Sequence, residues 1–508
     1  MPSPPRPAPR ARVLITVAAI GILIASLGLF GYELRTPRLM LDDFAYLAES
    51  RGFDRLAAYA FQPHNSHVVP LFRALTGFLL ALAGTLSPVP RIFCESAWLG
   101  LALLAMATGR LVAIESGSTL RGLVAMAALA VNSVMQPLAT WWSGSQVTWC
   151  GLMIVLALLA VNQYIAKSRR LWLVATIAAI IAAPLFWSGG LVAGFVAGVR
   201  LLTDRGTDRP SLRRAGRACL LLSLGLAVFI AFLVSRHGFP GAELRGSILR
   251  YPANAVVNSA RAGMEGLLLG NLGIDAPLPL PATASVAVIL LAVSLAAFRL
   301  RKPLLSPLGW AALTLIVSSY LLIYLFRGNL GWEALRPIVW YHGLAQVGLV
   351  LLLTGGLAAR HKGRASLSRL DVLILTMVVL GLLRIHSTRV AEHVGDLRSI
   401  DRLISAPEAV QRLLRNERAF LQIYQEHSLA ALDGIEEEAR DLGAGREEVR
   451  QAGGPLPFPG WPPMLENHDP YDLLRLPPRS RGDVDIGRLR ASMSQYAQYI
   501  RDQSAQAR

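Results

Sequence analysis

Charge is what this chain has least of. Only 16% of its 508 residues are Asp, Glu, Lys or Arg, whereas 53% are apolar, and its mean hydropathy is positive. An ordinary water-soluble domain carries about a quarter of its residues as charges, so this composition excludes that class and points to a polytopic membrane protein. Cysteine is nearly absent too: Cys94, Cys150 and Cys219 sit at irregular spacing inside apolar segments. That excludes a disulfide framework or a zinc site built on thiolates and leaves three small core- or lipid-facing residues. No internal repeat marks the inverted halves of a transporter. From residue 388 onward there is no lysine, and 16 arginines stand against 19 acidic residues. The positive excess therefore belongs to the earlier, apolar part.

The formal net charge is +17. In a soluble protein that would raise nucleic acid as a partner. Here the basic residues gather in short connections between apolar runs, at Arg6, Arg10 and Arg12; Lys167, Arg169 and Arg170; Arg205 to Arg217; Arg299 to Lys302; and Arg360 to Arg369. Short basic loops are retained on the cytoplasmic side, which explains the charge through topology and leaves nucleic acid out.

Residues 12–32, RVLITVAAIGILIASLGLFGY, supply the roughly 20 apolar residues that one crossing needs. No small-residue cleavage site follows, so the run reads as an uncleaved first span from a cytoplasmic amino terminus. Next comes a loop whose apolar residues Phe44, Leu47, Phe53, Leu56 and Tyr59 have helical spacing with charges between them, as in helices lying in the membrane interface. Residues 68–90 carry Arg73 and are short for a span; they read as interfacial or re-entrant. Further spans are expected near 91–113, 121–137, 146–166, 170–187, 188–203, 218–235, 282–299, 307–326, 337–358 and 371–387. The fold class is thus all-α and polytopic, with about eleven crossings in a membrane domain of residues 1–387. A helical and Pro-rich tail, 388–508, is expected to lie outside the cytoplasm, and the expected location is the plasma (inner) membrane.

Candidate chemistry begins with the adjacent carboxylates Asp42 and Asp43 just after the first span. Held against a membrane surface, an acid can meet both a lipid-borne and a water-borne substrate. The same loop carries His64 and His67 in an H-x-x-H spacing, then Arg73. Asp43, His64 and His67 could ligate a divalent cation, although two imidazoles at this spacing do not fix a third ligand. Glu95 lies just inside the third apolar region, and an acid buried in a membrane is a candidate site residue. Trp141, Trp142, Trp149, Trp332 and Trp340 near span ends read as interfacial anchors, with Trp141 and Trp142 also bordering the site. Arginines on the outer face, Arg336 first and then Arg245, Arg250 and Arg261, could grip phosphate through their planar forks. Lipid headgroup contact is the alternative role for each.

DDFAYLAE after a first span, HNSHVVPLFRALTGFLLALAG, PRIFCESAWLGLALLAMATGRLVA and AVNSVMQPLATWWSGSQVTWCGLMIVLALL together resemble the GT-C superfamily of integral membrane glycosyltransferases. Its bacterial members include the aminoarabinose and protein mannose transferases. The resemblance extends over the organisation of residues 10–390 and is sharpest over 39–150. It implies a donor sugar carried on a polyprenyl phosphate, an extracytoplasmic acceptor and a role in cell-envelope assembly. It further implies Asp42 as the general base that takes the acceptor's proton, and Asp43 as the group that orients it or holds a cation. Around the second loop motif, where many relatives carry a glutamate or a basic residue, this chain has His64, Asn65, Ser66 and His67, so metal dependence stays open. Two other classes fit the composition: a transporter or flippase of a lipid-linked or anionic substrate, and a noncatalytic membrane assembly protein. Transporters gather ionisable and helix-breaking residues at mid-membrane, whereas this chain concentrates its acids in one outer loop.

Overall fold

The computed structural model describes residues 9–31, 34, 43, 46, 49, 50, 52–63, 67–84, 89–204, 209–236, 261, 265, 267, 271, 305–327 and 339–356. Among them every regular element is a helix. The expected spans at 282–299 and 371–387 and the tail from 388 lie outside the described residues. The contacts divide the chain into two units, one of Met1–Pro37, Ala60–Phe72 and Phe93–Arg384, the other of Arg38–Tyr59, Arg73–Ile92 and Ile385–Arg508.

In the first unit α1 (Pro9–Leu29) is followed by α4 (Val89–Ser116), α5 (Thr119–Ala130), α6 (Gln136–Thr140), α7 (Gln146–Lys167), α8 (Arg170–Phe186), α9 (Ala193–Leu202), α10 (Arg209–Arg236), α11 (Pro307–Arg327) and α12 (Gly343–Leu351). Three segments are long and apolar enough to cross a membrane unaided, Arg91–Ser116, Ser143–Lys167 and Pro210–Val234. At about 1.5 Å per residue the 28 residues of α4 or of α10 reach about 42 Å, more than the roughly 30 Å of hydrocarbon. The other apolar helices are shorter.

Consecutive helices reverse direction where local sequence forces a turn. Gly117 takes φ +66° after α4, and the Ser118 hydroxyl accepts from Arg121 N to open α5. Ser168 ends α7 in the left-handed region at φ 50°. Pro137 sits in the first turn of α6, where its missing N–H is not needed. The helices then meet through glycine. A Cβ on Gly109 of α4 would lie 2.7 Å from the Gly122 carbonyl of α5. One on Gly198 of α9 would lie 2.9 Å from the Gly216 carbonyl of α10. One on Gly309 of α11 would lie 2.4 Å from the carbonyl of Gly356, just past α12. Gly194 and Gly198 form a G-x-x-x-G step, and Gly194 N also donates to the Ser223 hydroxyl at 2.9 Å. Close backbone approach at small residues is how helices pack when lipid removes the hydrophobic drive between them. Gly198→Val is therefore expected to destabilise the protein by about 1–3 kcal/mol through overpacking. Gly225→Val, where a Cβ meets nothing within 4 Å, should be close to neutral. Detergent-titrated unfolding checks the pair, and equal midpoints would remove the glycine crossing as a stabilising contact.

These contacts sort the helix ends. Glu115 of α4 pairs with Arg200 of α9 at 2.7 Å. Ser306 N bonds Gly356 O at 2.8 Å, and Gly355 faces Val112. The connections after α4, α7 and α9 thus share one end of this unit with the start of α11. At the opposite end a Cβ on Gly343 would meet Leu138 and Val147, and the Ser26 hydroxyl of α1 bonds Ala130 O at 2.6 Å. Since Ser26 is in the last turn of α1, that helix begins at the end bearing the basic connections around Lys167 and Arg213. Arg200 also bonds Asp204 at 2.7 Å. One buried guanidinium thereby holds two carboxylates at the rim.

Three expected spans are broken. Residues 121–137 leave the helix at Ala130 because Asn132 turns its side chain on the backbone, its Oδ1 accepting from Val134 N at 2.8 Å. Residues 188–203 start as a 3₁₀ turn, Ser188–Val192, where Gly190 lies against the backbone of Ala183. Residues 337–358 run from a 3₁₀ turn (Val339–His342) through α12 to a π turn at Leu352–Gly356, where Gly356 abuts Gly309.

The second unit contains α2 (Phe53–Tyr59) and most of α3 (Pro70–Ala83). At 14 residues α3 reaches about 21 Å, short of the hydrocarbon thickness. Phe78 and Leu82 form an exposed apolar stripe on it, and Phe53 of α2 is exposed as well. Such stripes suit helices that lie in a membrane interface.

Candidate functional site

In the segment after α1, read from the sequence as interfacial, Phe44 and Leu47 lie outside the described residues. The described positions show a polar buried face: Asp43, Tyr46 and Ser50, three and four residues apart, are all buried. Opposite them on α3, Arg73 is fully buried and its Nε donates to Glu49 Oε2 at 2.7 Å. Its guanidinium lies 5.9 Å from the Tyr46 ring centroid. Thr76, one turn on, is buried beside it, and a Cβ on Gly77 would come 3.1 Å from Ser50 O. The glycine lets the two segments approach, and the approach encloses Asp43, Glu49 and Arg73. Burying an ion is costly unless it is paired, so a loop of this kind does not enclose three charged groups merely to stay hydrated.

Asp43 is inside this face; Asp42, His64, Arg245, Arg250 and Arg336 lie outside the described residues. Arg73, one of the phosphate- or substrate-binding candidates, pairs with Glu49. His67 is half-buried and shares a hydrogen bond of 2.5 Å between Nδ1 and the Ser188 hydroxyl, with Trp187 tilted against it at 6.1 Å. Among the described residues no group of three His, Cys, Asp or Glu could hold a metal. Glu95 is exposed on α4 rather than buried, because the buried face of that helix runs through Phe93, Cys94, Ala97 and Leu101. Trp141 and Trp142 are not interfacial anchors: both are buried. Trp142 is stacked between Phe72 and Phe93, with ring centroids 4.7 and 4.8 Å away. Trp149 stacks on Phe186. Arg261 bonds Glu265 at 2.9 Å, and that carboxylate is buried.

The first unit has a polar interior that the sequence reading did not single out. His342 accepts or donates a hydrogen bond with the Tyr320 hydroxyl at 2.8 Å, and both are buried. One turn further along α12, Gln346 exchanges hydrogen bonds with Asn271, at 2.7 Å to its Oε1 and 3.0 Å from its Nε2. Asn132 donates to the same Asn271 Oδ1 at 2.7 Å. His342 and Gln346 thus project from one face, four residues apart. The amides saturate one another and fasten three segments, while the Tyr–His pair can carry a proton between two atoms. The signal was present in the chain as isolated polar residues inside apolar runs, Asn132 in LAVNSVM and Gln346 in GLAQVGL.

Neither a family model nor a characterised protein matches the chain.

Proposed function

We propose that this chain is an integral membrane glycosyltransferase that moves a sugar from a polyprenyl-phosphate donor to an extracytoplasmic acceptor in cell-envelope assembly. The observation that carries the reading is the enclosed acidic face of Asp43 and Glu49 with Arg73, lying a few residues beyond an apolar first helix. An acid set in a protein-made environment, at the place where a lipid-borne donor and an aqueous acceptor meet, suits general-base chemistry. In this mechanism Asp42 takes the proton from the acceptor hydroxyl as its oxygen attacks the anomeric carbon. The bond from that carbon to the phosphate oxygen breaks, and the polyprenyl phosphate leaves. Asp43 fixes the base, and Arg336 is the first candidate to neutralise the departing phosphate. The Arg73–Glu49 pair holds the segment in place.

The direct test presents purified protein in vesicles with a radiolabelled polyprenyl-phosphate sugar and counts label passed to acceptor. Transfer supports the reading. A specific observation favours a second one: Arg261, Glu265 and His342 are ionisable groups within an apolar helical unit, as in transporters. Movement of the labelled lipid across the vesicle without loss of its sugar would favour that alternative.

The proposed topology has eleven crossings, with the amino terminus and the basic connections in the cytoplasm. A reporter fused after Ser387 is then expected to read as external. A cytoplasmic signal would mean one crossing more or fewer and would move the tail to the other side.

A further inference from the structure

Helix α10 has two faces of different fate. Leu212, Ala215, Cys219, Ser223 and Ile230 are buried, four of them in line with the glycine crossing to α9. The opposite face is open. Arg213, Arg214 and Arg217 are exposed, and among the described residues no ion pair is formed by any of them. Two other basic residues at this end have protein partners: Arg200 holds Glu115 and Asp204, and Lys167 lies over the Trp172 ring.

The same open face continues at helical spacing through Leu221, Leu224, Val228, Phe229 and Phe232, each more than half exposed. From Leu221 to Phe232 the rise is about 16 Å, close to the depth of one leaflet of a roughly 30 Å hydrocarbon core. Gly225 lies in the middle of this stripe with open space where a side chain would be. It leaves a notch between Leu221 and Leu224 on one side and Val228 and Phe229 on the other.

We propose that α10 carries a binding groove for an anionic glycerophospholipid, its headgroup phosphate held by Arg213, Arg214 and Arg217 and one acyl chain laid over the notch at Gly225. Charge and length select this occupant. Three guanidinium groups at one end of an apolar stripe match a phosphate at one end of a hydrocarbon chain. The stripe also ends where a leaflet ends. A second copy of this chain would bring its own three arginines against these in a symmetric contact and would be repelled.

The test uses the full-length protein purified in detergent, with phosphatidylglycerol and phosphatidylcholine of identical chains added, and reads bound lipid by native mass spectrometry. Wild type is expected to retain phosphatidylglycerol and to lose phosphatidylcholine. The variant Arg213→Gln/Arg214→Gln/Arg217→Gln should bind phosphatidylglycerol about a hundredfold more weakly, at about fivefold for each surface arginine. Gly225→Leu keeps every charge and starts from a position where a Cβ meets nothing within 4 Å, so it is expected to fold and insert even if the triple variant does not. It should weaken retention of long-chain phosphatidylglycerol several-fold and leave a dihexanoyl analogue unaffected. Equal retention of the two headgroups by wild type would overturn the proposal. So would wild-type affinity in both variants, or a change of oligomeric state in place of lipid loss. Lipid retention is read without sugar transfer, so the outcome is independent of the activity proposed above.

Discussion

Asp42→Asn is expected to lower sugar transfer by about 10²- to 10⁴-fold while the protein inserts and folds as before. The amide preserves shape and hydrogen-bonding reach but cannot accept the acceptor's proton. Attack on the anomeric carbon then has to proceed from a neutral hydroxyl. Asp43→Asn should show a smaller loss if Asp43 orients the base. Because Asp43 is buried, its amide form would also change the packing of the segment, so the two variants must be compared at equal folded concentration. Initial rates with the lipid-linked donor decide the matter: full turnover by Asp42→Asn would remove this residue as the base and leave the acidic face without a catalytic assignment.

Arg73→Met should be the most damaging single change for stability. It removes the guanidinium that contacts the largely buried Glu49 carboxylate at 2.7 Å. Breaking a buried pair from one side costs about 3–5 kcal/mol, because the remaining charge loses its ion-pair partner in a medium that solvates it poorly. The double variant Arg73→Met/Glu49→Leu replaces both ions by apolar groups of similar volume and should recover most of the loss. Reversible unfolding in mixed detergent measures both. A single variant as stable as wild type, or a double variant no better than the single, would show that the pair does not organise this segment.

How far the sequence could be read follows from what each signal measures. Apolar length found α4, α7 and α10, because a helix that crosses hydrocarbon must be long whatever it packs against. It could not place the breaks at Asn132, Gly190 and Gly356, where one side chain or one glycine contact redirects the backbone. Nor could it separate lipid-facing from protein-facing positions, since both are apolar. Trp142 is the clear instance: a tryptophan near a span end has the pattern of an interfacial anchor, yet Phe72 and Phe93, distant in sequence, enclose it. The acidic pair was legible as a candidate, and so was Arg73. Its ion pair with Glu49 was not, because it joins residues 24 apart across a turn. The His342–Tyr320 and Asn132–Asn271–Gln346 contacts likewise depend on tertiary neighbours.

One contact bears on how the chain is made. The Ser26 hydroxyl of α1 donates to Ala130 O across 104 residues and accepts from Trp98 Nε1 at 3.2 Å. Ribosomes add about 5–20 residues each second, so α1 waits roughly 5–20 s after its own synthesis before that carbonyl has even been made. During the wait its hydroxyl can turn back onto its own helix, as serine does within apolar helices. Docking of α1 against α5 can therefore follow only once α5 has been made. Its final position is then set by the order of synthesis as well as by its hydrophobicity.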